Sequence, residues 1–229
     1  SLTLEGFTKL QTLRCESYAP EDFDPSSKGE DTKDMGLTSL TLVDLPALRE
    51  LHCGDNQLSV LNLSEVPRLV ALYCAFNRLT QLDLSAVPEL STLICRGNRL
   101  SILELAQVPQ LKELNCSDNQ LLHLDLAPVP ELVWVEYTNN QMTQLDLTGL
   151  TKLDYLHCSN NQLTQLDLSS LSQLSGLLCW NNRLDNLNLS GMPKLLFLSC
   201  GCNQLTHLDL SPVPELEGLE ITQNQLTSI

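Results

Sequence analysis

The stretch Leu153-Asp154-Tyr155-Leu156-His157-Cys158-Ser159-Asn160-Asn161-Gln162-Leu163-Thr164-Gln165-Leu166-Asp167-Leu168 decides the fold, because it recurs along the chain every 21 residues. The asparagine of this unit falls at Asn56, Asn77, Asn98, Asn119, Asn140, Asn161, Asn182, Asn203 and Asn224 without a slip. Three positions before it stand Cys53, Cys74, Cys95, Cys116, Cys158, Cys179 and Cys200, with Tyr137 and Ile221 filling the other two units. Leucine occupies the remaining columns, as in Leu48, Leu51, Leu58, Leu61 and Leu63, and only Val135, Met142 and Ile229 replace it further on. A fixed period of this length overrides local propensity and marks a repeat architecture.

Within one unit, L-x-C and L-x-L alternate with period two, which sends neighbouring side chains to opposite faces of an extended chain. Two strand-like stretches per unit are therefore expected. One unit cannot enclose its own leucines, whereas stacked units place each column over its copy and build a continuous core. Prolines such as Pro67, Pro88, Pro109 and Pro130 lack a backbone donor, so the return stretch should be extended or 3₁₀ with little α-helix. The asparagine amide, with two donors and two acceptor lone pairs, suits a ladder that satisfies peptide groups at the bend after the first strand.

These units resemble leucine-rich repeats, and the cysteine in the strand with a second L-x-L in the unit is similar to the cysteine-ladder repeats of internalin J and related bacterial surface proteins. The resemblance covers Leu37 to Ile229 and, more loosely, the first fifteen residues. It implies a right-handed, strand-rich leucine-rich repeat solenoid of the α/β horseshoe class, with a parallel concave sheet, on an exported bacterial protein that mediates attachment. Proline in the return segment, as in Val66-Pro67 and Val87-Pro88, departs from that pattern. Leucine-rich effector proteins delivered into host cells also carry short proline-bearing repeats, so a targeting domain of such an effector is the neighbouring alternative.

Residues 1–36 read as a partial repeat interrupted by an insertion, and residues 37–229 as the repeat domain. Leu2, Leu4, Leu10, Leu13 and Cys15 match the columns, but Cys15 precedes Cys53 by 38 residues, 17 more than one period. The extra segment at 16–36 holds seven acidic residues with Pro20, Pro25 and Gly29, a loop composition. Asp22-x-Asp24-x-Ser26 begins like a calcium loop, yet Ser27 stands where glycine is needed and Lys33 where the closing glutamate belongs. A solvated loop is expected there. No basic n-region and apolar h-region follow Ser1, and the last unit stops at Ile229 with the core column unfinished, so a segment of a longer chain is expected.

Composition narrows the function. Against 28 acidic residues stand 13 Lys plus Arg, a formal charge of −15, which disfavours gripping nucleic acid or an anionic bilayer. No apolar run is long enough to span a membrane. Eight of the nine cysteines share one inward column whose Cβ spacing, near the strand spacing of about 4.8 Å, exceeds what a bridge prefers, so free packed thiols are expected. Cys202 stands outside that column and should be the reachable thiol. No Cys/His pair has zinc spacing, and the four scattered histidines cannot assemble a triad with a nucleophile and an acid. No cofactor, metal or catalytic residue is expected.

In leucine-rich solenoids the first strand lines the concave side. Its outward positions here gather Tyr73 and Ile94 in one cluster and Trp134, Tyr155, His157, Leu178, Trp180 and Phe197 in a larger one. Both tryptophans are included. Large apolar groups on a rigid sheet mark an interaction site, and Trp and Tyr dominate binding when a partner desolvates them. Glu113, Glu136 and Glu220 supply an acidic rim that favours a neutral or basic partner. The reading is a non-catalytic module that recognises a protein or glycan, extracellular or at a bacterial cell surface. A structural spacer or self-association element, with the aromatics covered by its own chain or a copy, is the alternative of another class.

Overall fold

The computed structural model describes residues 1–16 and 36–228. The acidic insertion at 16–36 and its calcium-like stretch therefore fall outside the described residues, apart from Glu16 and Gly36. Twelve short strands account for the regular structure of the described residues, which contain no helix.

One strand per turn builds a ten-stranded parallel sheet. Its members are β2 (Thr12–Arg14), β4 (Glu50–His52), β5 (Ala71–Tyr73), β6 (Thr92–Ile94), β7 (Glu113–Asn115), β8 (Trp134–Glu136), β9 (Tyr155–His157), β10 (Gly176–Leu178), β11 (Phe197–Ser199) and β12 (Gly218–Glu220). Each strand pairs with the next turn in the register that the period dictates, Leu51 opposite Leu72 and Leu156 opposite Leu177. Leu13 lies opposite Leu51 and Leu2 opposite Leu40, so the first, interrupted unit keeps its columns despite the insertion.

The second L-x-L stretch behaves differently from expectation. It forms a strand pair only at the start, where β1 (Leu2–Glu5) meets β3 (Leu40–Val43); later copies share a single isolated bridge between His207 and Ser228 among the described residues. Backbone groups of this side are used locally instead. Val66 N–H donates to the Leu63 carbonyl and Leu69 N–H to that of Val66, and the same pair of turns recurs in later units. Proline has already removed one donor between them. The aspartates of this side close a further turn: Asp83, Asp125, Asp146, Asp167 and Asp209 each accept from the backbone N–H two residues on. Four of those carboxyls, Asp83, Asp146, Asp167 and Asp209, are held below the ordinary carboxylate range by hydrogen bonds from Ser85, Thr148, Ser169 and Ser211.

Between the two sides lies one continuous core of stacked leucines, with the thiols of Cys53 through Cys200 and the phenol of Tyr137 in a fully buried column. All nine cysteines are free. Burial pushes the thiols of Cys116, Cys158 and Cys200 up to about 12, and those of Cys53, Cys74, Cys95 and Cys179 well above the usual range. Cys202 is half-buried, with its Sγ 2.8 Å from Gln223 Oε1, and Cys15 at the first turn is half-buried too.

The asparagine column is a hydrogen-bond ladder. Asn182 Nδ2 donates to the carbonyls of Cys158 in the preceding turn and of Cys179 and Trp180 in its own, while its Oδ1 accepts from Leu163 N–H at 3.0 Å. The same four-way pattern repeats at Asn56, Asn77, Asn98, Asn119, Asn140, Asn161 and Asn203. Asn224 accepts from Leu205 N–H and donates to the Cys200 and Ile221 carbonyls. The residue just before each asparagine takes a left-handed φ, between 51° and 67°, which turns the chain out of the strand. Asp, Asn and Gly fill most of those positions, the residues that adopt this conformation with least strain. Phe76, Cys202 and Gln223 are the exceptions in kind.

Candidate strand-face recognition site

A side chain on either side of the central leucine of each strand points away from the core, because successive residues alternate in direction. The face is therefore three rows deep. One row runs through Trp134, Tyr155, Gly176, Phe197 and Gly218; the second through Tyr73, Ile94, Glu136, His157, Leu178 and Glu220; the third, beyond the cysteine, through Arg96, Thr138, Ser159 and Trp180. Parallel register puts equivalent residues of adjacent turns side by side, as with Trp134 beside Tyr155 and Tyr73 beside Ile94.

Aromatic rings and glycines on this face fit each other. The Trp134 and Tyr155 rings stack with centroids 5.9 Å apart and planes at 12°. The Tyr155 ring in turn leans over Gly176, where an added Cβ would lie 2.8 Å from Tyr155 Cδ2. Phe197 leans over Gly218 in the same way, with 2.7 Å to Cδ1, and at the bend beside this face Phe76 leans over Gly97. Each ring thus lies in the space left by a missing side chain one turn on. The result is a flattened aromatic surface.

The residues expected to bind fall into two groups. His52 stacks on Tyr73 with centroids 4.3 Å apart, and Ile94 continues that patch. Further along, Trp134, Tyr155, His157 and Glu136 converge: Tyr155 meets the His157 ring edge-on at 6.4 Å, and His157 Nδ1 lies 3.9 Å from Glu136 Oε1. Leu178 and Phe197 extend the patch, Phe197 being the most open of these groups at 52% exposed. Tyr73, Ile94, Trp134, Glu136, Tyr155, His157, Leu178 and Trp180 are all half-buried. Trp180 stands in the third row and shares no ring contact with Trp134 or Tyr155 among the described residues.

Negative charge surrounds these rings. Burial, then Glu113 and Glu50, pushes the pKa of the Tyr73 hydroxyl up, and burial with Glu136 does the same to Tyr155. Glu136 accepts from Asn115 Nδ2 at 2.7 Å, and Glu220 from Ser199 Oγ at 2.9 Å. His157 Nε2, Thr138 Oγ1 and Ser159 Oγ are buried without hydrogen-bond partners, all in the two turns of the Trp134–Tyr155 stack. No group of three or more His, Cys, Asp or Glu that could hold a metal ion occurs among the described residues. No helix among them is long and apolar enough to cross a membrane.

Sequence reading passed over His52 and the covering role of Gly97, Gly176 and Gly218. The signal was present, since each glycine follows an aromatic residue by one period.

Neither a protein-family model nor a curated protein matches this sequence. Solved structures do match it. The functional domain of internalin J from Listeria monocytogenes, which includes a cysteine ladder, superposes with a TM-score of 0.76 at 28% identity over 97% of this chain. An internalin F from the same species gives 0.75 at 24% identity over 84%, a level that speaks for the fold alone. The leucine-rich repeat ectodomain of the Arabidopsis thaliana receptor kinase GASSHO1/SCHENGEN3, solved in complex with Casparian strip integrity factor 2, gives 0.72 at 25% identity over 79%. This chain spans 55% of the internalin J domain, 66% of the internalin F chain and 25% of the plant ectodomain. The fold is thus a leucine-rich repeat solenoid with a cysteine ladder, an architecture of interaction modules.

Proposed function

We propose that this solenoid is a non-catalytic recognition module of an exported bacterial surface protein, and that it captures a protein or glycan partner on its strand face. The observation that carries the reading is the row of rings laid flat over glycines on that face, with Trp134 stacked on Tyr155 and Phe197 half-exposed. Rings already immobilised by their neighbours lose little side-chain entropy on binding, which is what a recognition surface needs. The internalin J domain lends support to the surface setting through its 28% identity and its own cysteine ladder. A surplus of negative charge makes nucleic acid an unfavourable partner.

The double variant Trp134→Ala, Trp180→Ala tests this. Both groups stand outside the core, so the melting temperature should move by only a few degrees, while capture of a binding cell or matrix surface falls at least about tenfold. A melting point lowered by more than about 10 °C with capture retained would favour the spacer or self-association element instead.

A further inference from the structure

Strands β9 to β12 enclose an apolar depression of about 470 Å³ walled by Tyr155, Gly176, Leu178, Phe197 and Gly218, and Glu220 is the one acidic side chain in its lining. Two of its first-row positions, Gly176 and Gly218, carry no side chain of their own. Its rings lean one way, Tyr155 over Gly176 and Phe197 over Gly218, and leave Leu178 between them.

Glu220 is exposed, and its Oε2 is held by Ser199 Oγ at 2.9 Å. Among the described residues no lysine, arginine or histidine lies within ion-pair distance of it. Among the described residues the carboxylate is thus oriented by Ser199 and faces no cation. We infer that this slot takes a lysine or arginine side chain from a basic segment of a partner polypeptide, its stem on Leu178 and the Phe197 ring and its charged head at Glu220. The inference rests on the proposed reading that the strand face is the recognition surface and names the chemistry of its partner.

Three features favour this occupant. Long cationic side chains cover apolar surface with their methylenes while the head stays at a polar rim, which is the arrangement of this lining. A cation beside an aromatic face and a carboxylate gains from both. A neutral sugar would call for several convergent hydrogen-bonding groups, whereas the polar side chains of this lining are one carboxylate, two serines and the Tyr155 hydroxyl. The charge of −15 repels acidic partners and draws basic ones.

The experiment is an amide NMR titration of the whole chain with acetyl-Gly-Ser-Lys-Ser-Gly-amide, with the same peptide acetylated on the lysine Nζ, and with chitohexaose as a neutral saccharide. Expected are shifts at Gly176, Gly218 and Glu220 with the lysine peptide, weakened roughly fivefold by acetylation and by Glu220→Gln, a factor typical of a partly exposed charge pair. Asp167→Asn removes the same charge from the return side and should leave the titration unchanged. Equal binding of the acetylated peptide, equal loss in Asp167→Asn, or no shift at these glycines overturns the inference. Chitohexaose shifting the glycines while the lysine peptide does not would also overturn it, yet would leave the strand face as the recognition surface. Failure of that wider reading shows separately, in the tryptophan double variant.

Discussion

On β9, Leu156 and the following Cys158 face the same columns as Leu177 and Cys179 one turn on, whereas Tyr155 and His157 on that strand face Gly176 and Leu178. Inward, each turn repeats its neighbour; outward, each turn differs from it. The contrast teaches where the chain is constrained. An inward residue must fit a copy of itself above and below, so substitution there disturbs two interfaces. An outward residue needs only to accommodate its neighbour's edge, as Gly176 accommodates the Tyr155 ring. Recognition can vary on one side of a strand while the other side holds the register.

The contrast breaks most sharply at the asparagine ladder. Asn161 Nδ2 donates to the carbonyls of Tyr137, Cys158 and Ser159, and Oδ1 accepts from Met142 N–H at 3.1 Å. Asn161→Ala orphans those buried groups, each worth about 1–3 kcal/mol and not additive, so a loss of about 3 kcal/mol or more is expected in urea unfolding followed by circular dichroism. Asn160→Ala, one residue earlier, loses only an exposed contact with Asn181 and puts alanine at a left-handed φ, so a smaller loss of about 1–2 kcal/mol is expected.

Alkali should separate the two sides next. The ladder thiols Cys116, Cys158 and Cys200 have folded values raised to about 12 from an ordinary 9.0. Their contribution is fully present below about pH 9. Above it the unfolded chain ionises while the folded one does not, so stability declines as pH rises from 9 toward 12. Melting temperatures measured across that window should fall steadily. Replacing Cys116 and Cys158 with alanine lowers the starting stability but should flatten the decline.

The smallest effect belongs to the outer face. In Gly176→Ala the new Cβ meets Tyr155 Cδ2 at 2.8 Å, and the ring must swing away. Gly176 is buried beneath a ring that itself lies on the open strand face, so stability should fall by only about 1 kcal/mol. Fluorescence of Trp134, whose ring stacks on Tyr155, should nevertheless shift. An unchanged spectrum would mean that the glycine does not set the ring's position.

Much of this was legible in the residues. The spacing of Asn161 from Asn140 and Asn182 gave the turn, and the offset of 38 between Cys15 and Cys53 located an insertion without losing the columns, as the pairing of Leu13 with Leu51 shows. Alternation also suggested a second strand at Leu61-x-Leu63, and there it misled. Period two specifies which way side chains point, but strand pairing also needs backbone groups free to reach the next turn, and the Leu63 carbonyl is taken by Val66 N–H. Phe76 was visible as an aromatic residue, but neither its φ of 53° nor its lean over Gly97 could be read from a column of mixed residues.

By itself, then, the sequence determined a stack of near-identical turns, its register, and the leucine, cysteine and asparagine columns inside it. These follow from period and polarity, which act locally and are repeated in every unit. Tertiary structure decided how the outer rings lie, that Trp134 stacks on Tyr155 while Trp180 stands apart, and that two glycines and Glu220 frame a slot. Those outcomes depend on shapes that meet only when turns 21 residues apart come into contact, and no local pattern encodes them.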